Sequence, residues 1–308
     1  MTAPARLHLG FLDLNGAIGR RYGSVGLSVS APATTLTVLR AAKNSASGPE
    51  RDRAKTLLDK FANGAERYTV DLTDAIPAHA GLGSGTQLAL AIGAAIARLE
   101  NREMSAADIA IAGERGARSG IGLAAFTGGG FIIDGGRGKS ERPPPITMRA
   151  DFPPEWRVLL IFDTTRAGVS GEAETTAFAG LPEFPNAMAA HICHLVLLKL
   201  APGLVECDIA AFGAAITEIQ QMVGWHFAGK QGGSPWTSPA VGRLAARMQQ
   251  QGATGIGQSS WGPTGFAFVA DAEAAQRLYH SLVQDAKRDG LDILIAEGRN
   301  GGARIEAF

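Results

Sequence analysis

The chain has 308 residues, and its 29 basic and 29 acidic side chains leave no formal net charge. That balance argues against broad attraction to nucleic acid or to a membrane surface. A content of 45% hydrophobic and 19% charged residues excludes a disordered chain and reads as globular, long enough for two domains or one large one.

Residues 4–13 alternate around Arg6, Leu7, His8 and Leu9, which predicts a strand with Arg6 and His8 on one face. Residues 15–23 form a turn carrying Arg20, Arg21 and Tyr22, and 25–29 and 34–39 read as two strands separated at Pro32. Such an arginine-rich turn can hold phosphate or simply face solvent. Residues 41–48 read as a surface loop, 51–62 as a helix and 68–72 as a strand. Arg6, His8 and Asp13 interrupt any N-terminal signal. No apolar run is expected to reach the ~20 residues that span a bilayer.

The chain is organised around Pro77-Ala78-His79-Ala80-Gly81-Leu82-Gly83-Ser84-Gly85-Thr86-Gln87. Leu88, Ala91, Ile92, Ala95, Ile96 and Leu99 follow at the spacing of one apolar helix face. Gly81, Gly83 and Gly85 permit close backbone approach. Ser84 is placed to cap the helix, with Gln87 three residues on as in a capping box. Free amides, the positive end of the helix dipole and the hydroxyls of Ser84 and Thr86 would make a phosphate cradle. The spacing is equally met by a turn that only starts a helix. Neither a Walker A loop nor a dinucleotide fingerprint fits, since Gln87 stands where the first needs Ser/Thr after lysine and Thr86 where the second needs glycine.

Ser105 is a good N-cap for a further helix ending near Gly116, with Glu114, Arg115 and Arg118 at its exit. Gly128-Gly129-Gly130 precede a strand at 131–133, and 135–154 read as a linker or domain edge. A buried strand at 158–162 leads into a loop, 163–174, holding Arg166, Ser170, Gly171 and Glu172. Helices are expected at 187–200, 207–223, 237–250 and 272–288, with strands at 252–257, 264–269 and 292–296. This is an α+β plan with a small antiparallel sheet. His191 and His194 have a spacing seen in metal sites, but no carboxylate pattern accompanies them, so ordinary helix histidines are expected. Cys193 and Cys207 read as buried free thiols, in keeping with a reducing cytoplasm.

Three stretches in this order resemble the signatures of the GHMP kinase superfamily: Pro-Ala-Arg-Leu-His-Leu-Gly at the start, 77–87 with Gly85 at the motif's last serine, and 255–268. The resemblance implies an N-terminal domain of ribosomal-protein-S5 type, 1–154, and a ferredoxin-like C-terminal domain, 155–308, with the site between them. One branch is similar along nearly the whole chain, the β-ribofuranosylaminobenzene 5'-phosphate synthases. Its informative stretch here is Gly255-Ile256-Gly257-Gln258-Ser259-Ser260-Trp261-Gly262-Pro263-Thr264-Gly265. That resemblance implies condensation of phosphoribosyl pyrophosphate with 4-aminobenzoate, or a close hydroxybenzoate analogue, releasing carbon dioxide and pyrophosphate. It also implies magnesium and a place in methanopterin biosynthesis. A homodimer is the expected assembly.

By the same resemblance, Ser84 and Glu114 are the metal candidates, and Arg6, Ser84, Arg118 and Gln258 the catalytic ones. Arg20, Arg166 and the cradle residues Gly81, Gly83, Gly85, Thr86 and Gln87 would bind phosphate or carboxylate. Ser259, Ser260 and Trp261 would line the acceptor's pocket. Many kinases of the superfamily carry Ser-Gly-x-Asp, whose aspartate helps activate the acceptor hydroxyl. Here the run is Ser119-Gly120-Ile121-Gly122, without a carboxylate. An ATP-dependent small-molecule kinase and a non-catalytic sensor of phosphate ligands are the two rival expectations.

Overall fold

The structure, a computed structural model, describes residues 1–307 except 63, 167, 169–175, 177 and 179. Strand β1 (Thr2–Asp13) pairs antiparallel with β2 (Tyr22–Ala41), which runs unbroken for 20 residues. Pro32 was expected to divide it. Instead the register with β1 jumps between Pro4↔Ala33 and Ala5↔Val29, so Pro32 falls in an irregularity that asks no ladder hydrogen bond of it. Beyond this point β2 pairs with β4 (Arg67–Asp74).

Two further strands replace expected coil. Within the supposed surface loop, β3 (Ser45–Ser47) lies parallel on β4, with Ser45 donating to Thr69 Oγ1 at 2.9 Å and Ser47 to Asp71 at 2.7 Å. Within the supposed linker, β6 (Ile146–Ala150) pairs with β5 (Phe131–Asp134) as a mostly exposed edge. The first sheet thus runs β3-β4-β2-β5-β6, with β1 also on β2.

Helices α1 (Arg51–Phe61), α2 (Ser84–Leu99) and α3 (Ala106–Ala112) cover this sheet. Leu58, Phe61, Leu88, Ile92, Ile96 and Ile109 pack with Leu36, Tyr68 and Val70 into one core, so the apolar spacing read after Thr86 is the buried face of α2. Ser105 and Asp108 form the capping box that starts α3. A short helix, α4 (Ile121–Thr127), was not foreseen; its two-turn length and Gly122 leave no periodic signal.

The second sheet is antiparallel throughout, ordered β10 (Leu291–Glu297), β7 (Arg157–Asp163), β9 (Gly265–Val269), β8 (Thr254–Gln258). Helices Pro239–Gln250 and Ala272–Arg288 cover one face. Helix Ile209–Phe227 carries Phe212, Ile216 and Ile219 into a core shared with β1, β2 and β5. The Phe212 ring lies 6.0 Å from Phe131 and 5.3 Å from Phe268, joining the two sheets.

Segment Asn186–Val205 is helical, with a π turn over Val196–Leu200, and is long and apolar enough to cross a membrane by length and composition. That corrects the expectation that no apolar run reaches such a length. Here Ile192, Leu195, Leu200 and Leu204 are buried in the shared core, while Leu197 and Leu198 are exposed. Cys193 and Cys207 are free but exposed, not buried, because one lies on the outer helix face and the other in the turn after it. His191 is exposed and meets Glu218 at 2.7 Å; no cluster of three metal-ligating side chains occurs among the described residues.

Candidate active site

The loop before α2 sits between the two halves. Gly81 has φ +79°, and a Cβ there would lie 2.1 Å from the Ser259 carbonyl oxygen, so only glycine fits. Its own carbonyl accepts from Ser259 Oγ at 2.7 Å and from the Arg6 guanidinium. Ser259 Oγ also accepts from the His8 amide at 2.9 Å. The buried Ser259 hydroxyl therefore bolts β1, the glycine loop and the turn after β8 together.

Gly83 caps α2 in the left-handed region, φ +81°, and no side chain closes the helix start. The amides of Thr86 and Gln87 both donate to the Gly83 carbonyl at 3.1 Å. The Ser84 and Gly85 amides lie outside that pairing, at the positive end of a 16-residue helix. The expected capping box is not formed. Ser84 is the first helical residue, and Gln87 is fully buried, its Nε2 donating 2.7 Å to the Gly122 carbonyl. Gln87 thus ties α2 to α4 and does not reach the cradle.

A cleft of about 490 Å³ opens over this helix start. Ser84, Gly85 and Thr86 line it together with Arg6, Arg53, Arg115 and Arg118. Burial first, then the neighbouring Arg53 charge, hold the Arg115 guanidinium below its usual range. Massed like charges of this kind favour an anion between them. Glu114 also lines the cleft; its exposed carboxylate meets Lys60 at 2.8 Å, which holds it below the usual range.

Farther along, the lining turns aromatic. Phe178 and Trp261 stack with centroids 4.7 Å apart and an angle of 13°, and Phe11 stands edge-on to Phe178 at 5.8 Å. The Arg118 guanidinium lies 4.9 Å over the Phe178 ring. His8 packs on Phe11 at 4.3 Å. Burial, then the charges of Arg6 and Arg118, push His8 down to about 3, so its ring is neutral. Ser260, with φ +56°, completes this wall.

Besides Gln87 and the fully buried Ser259, neither of which lines the cleft, three expected site residues lie elsewhere. Arg20 donates to the carbonyls of Gly135 and Gly136 at 2.6 Å each and clips that turn outside the cleft. Arg166 reaches Asp163 at 3.7 Å and the Thr237 carbonyl at 3.4 Å. Gln258 faces away: its Oε1 accepts from the Thr237 amide at 2.7 Å and its Nε2 donates to Gln231 Oε1 at 2.8 Å. A residue named for catalysis is thus a brace for residues 231–237. Ser170, Gly171 and Glu172 lie outside the described residues.

The sequence did not point to Arg53, His79, Phe11 or Phe178. Each reaches the cleft from a different element, so no local spacing connects them. Gly122 explains the missing carboxylate physically. A Cβ at Gly122 would already lie 3.0 Å from Thr86 Cγ2, leaving no room for an aspartate without a shift. Asp134, largely buried, accepts from the Gly120 amide at 2.8 Å and the Ser119 hydroxyl at 3.1 Å and fixes that loop. Burial raises its pKa, while these hydrogen bonds pull the other way.

Residues 52–130 match the family described as GHMP kinases N terminal domain, and 200–288 the GHMP kinases C terminal domain. Beta-ribofuranosylphenol 5'-phosphate synthase of Methanothermobacter thermautotrophicus is 32% identical, over 98% of this chain and 97% of its own. The protein of that name from Archaeoglobus fulgidus is 32% identical over 99% of both chains. The chain belongs to the beta-ribofuranosylphenol 5'-phosphate synthase family, within the GHMP kinase superfamily. The L. major mevalonate kinase structure superposes with a TM-score of 0.72 over 98% of this chain and 96% of its own. At 13% identity it shows that this synthase family shares the kinase fold.

Proposed function

We propose that the chain joins phosphoribosyl pyrophosphate to 4-aminobenzoate or the corresponding 4-hydroxybenzoate. The products would be a carbon-linked ribosyl phosphate, carbon dioxide and pyrophosphate. The observation that carries this reading is one cleft with two linings: an open helix start among guanidiniums, then a stacked aromatic pair. The name of the relatives, beta-ribofuranosylphenol 5'-phosphate synthase, supports it.

The Ser84 and Gly85 amides and Arg115 bind the pyrophosphate and favour its departure as charge builds on it. Arg6, which holds the Gly81 carbonyl, fixes the cradle's shape. The ring carbon bearing the carboxylate attacks the sugar's anomeric carbon, forming the carbon–carbon bond as pyrophosphate leaves. The carbon–carboxyl bond then breaks, its electrons return to the ring, and carbon dioxide departs. Electron release from the para substituent makes that ring carbon nucleophilic, so no alcohol proton has to be removed. The absence of a carboxylate at Gly122 fits this chemistry better than it fits a kinase.

Magnesium belongs to this proposal. Ser84 and Glu114 both line the cleft, and an ion that takes only one or two protein oxygens plus phosphates suits so sparse a donor set. When bound, it would neutralise charge on the pyrophosphate. Incubation with phosphoribosyl pyrophosphate, magnesium and carboxyl-labelled acid tests the reaction. Labelled carbon dioxide is expected; ADP formation from ATP with an alcohol, and no labelled gas, would replace this reading with a kinase.

A further inference from the structure

Two guanidiniums from different elements converge on one point at the start of α2. A Cβ added to Gly85 would lie 3.1 Å from Arg53 Nη2 and 3.6 Å from Arg115 Nη1. Arg53 comes from the first turn of α1 and Arg115 from the stretch after α3. Gly85 also carries one of the two amides that the helix leaves open, so a group bound to that amide lies within reach of both side chains. The superfamily's motif has serine at this position; here the missing side chain leaves the space that the guanidiniums fill.

The chain holds Arg53 in this position. Glu50 caps α1 in the left-handed region, φ +61°, a costly conformation for a residue other than glycine. Its carboxylate makes no capping bond and lies instead 2.7 Å from Arg53 Nη1, which leaves Nη2 turned to Gly85. Glu50 offsets one of the two charges, while Glu114 is engaged by Lys60. The pair thus keeps a surplus of positive charge over an open helix start, where a doubly charged group is favoured.

The cleft also has a direction. A Cβ on Gly83 would lie 3.2 Å from Arg6 Nε, and Arg6 shares β1 with His8 and Phe11 of the aromatic wall. Gly83 therefore lies towards the aromatic end and Gly85 towards the far end. In phosphoribosyl pyrophosphate the terminal phosphate is the part of the leaving group farthest from the anomeric carbon. Near neutral pH it carries about two charges, where the sugar-linked phosphate carries about one. We propose that Arg53 is a specificity-determining residue that, with Arg115, reads this terminal phosphate. This rests on the proposed donor. The pair makes the site select a diphosphate ester over a monophosphate ester of the same sugar.

The test compares phosphoribosyl pyrophosphate with ribose 1,5-bisphosphate, which lacks only the terminal phosphate. Each is titrated calorimetrically into the full chain with magnesium and no aromatic acid. Wild type is expected to bind the diphosphate at least ~10-fold more tightly, the worth of one charged hydrogen bond. Arg53→Ala should weaken the diphosphate roughly 10- to 100-fold and hardly change the bisphosphate. Arg53→Lys keeps the charge and loses the planar fork, so its loss should be smaller but again confined to the diphosphate. That variant decides the matter if Arg53→Ala does not fold. Equal loss on both ligands would place Arg53 on a phosphate they share, and no loss on either would place it in solvent. Each result overturns the assignment while the donor stands. A wild type that binds neither ligand would remove the donor, and this inference with it.

Discussion

The two linings of the cleft are built on different principles. Around the start of α2 the binding groups are the backbone amides of one contiguous loop, joined by arginines from β1, α1 and the stretch after α3. Around Trp261 they are rings drawn from β1, from the turn after β8 and from Phe178. The first lining suits any phosphate. The second has no reason to exist for phosphate, and it is where this family's particular chemistry should be decided.

Breaking the phosphate lining should have the largest effect. Gly81→Val needs a left-handed backbone and a Cβ against the Ser259 carbonyl, so activity should fall more than ~100-fold, with lowered thermal stability. A variant with full turnover would mean the loop is not held as described. Arg115→Ala should raise KM for phosphoribosyl pyrophosphate on the order of 10- to 100-fold, as loss of a charged hydrogen bond predicts, and hardly alter KM for the acid. An effect on the acid instead would reverse the assignment of the two linings. Ser84→Ala should lower turnover about ten-fold while folding normally, because the amides remain; initial rates together with a melting curve decide it.

The aromatic lining can be sharpened by pH. His8 titrates at about 3 in the folded chain against an ordinary 6.5, so between those values the unfolded chain binds more protons. Stability from this group is complete above pH 6.5 and declines as pH falls towards 3, by an amount on the order of a few kcal/mol. Urea midpoints between pH 7 and 4 should fall more steeply in wild type than in His8→Leu; parallel slopes would place His8 in water. The smallest effect lies outside both linings. His191→Ala removes an exposed pair with Glu218, and should change stability by less than about 0.5 kcal/mol and leave any metal requirement untouched.

Legibility in the sequence follows the same division. The cradle was readable because glycines, hydroxyls and the apolar face of α2 are contiguous. The antiparallel second sheet and its helices were readable from period alone. Strand β3 and strand β6 were not, since runs of three and five residues, none of them buried, beside glycine or proline look like coil. Gln87 and Gln258 were assigned to the site because their neighbours belong there. Each instead turns its amide towards buried backbone or side-chain partners, a choice fixed by packing that no spacing reveals. The aromatic wall was half-read: Trp261 lies in a distinctive stretch, but Phe11 and Phe178 lie far from it in the chain.

The most direct measurement is a crystal structure with phosphoribosyl pyrophosphate bound. Pyrophosphate oxygens should sit within hydrogen-bond distance of the Ser84 and Gly85 amides, with the anomeric carbon turned towards Phe178 and Trp261. Pyrophosphate bound away from the start of α2, or a sugar facing away from those rings, would contradict the division of the cleft.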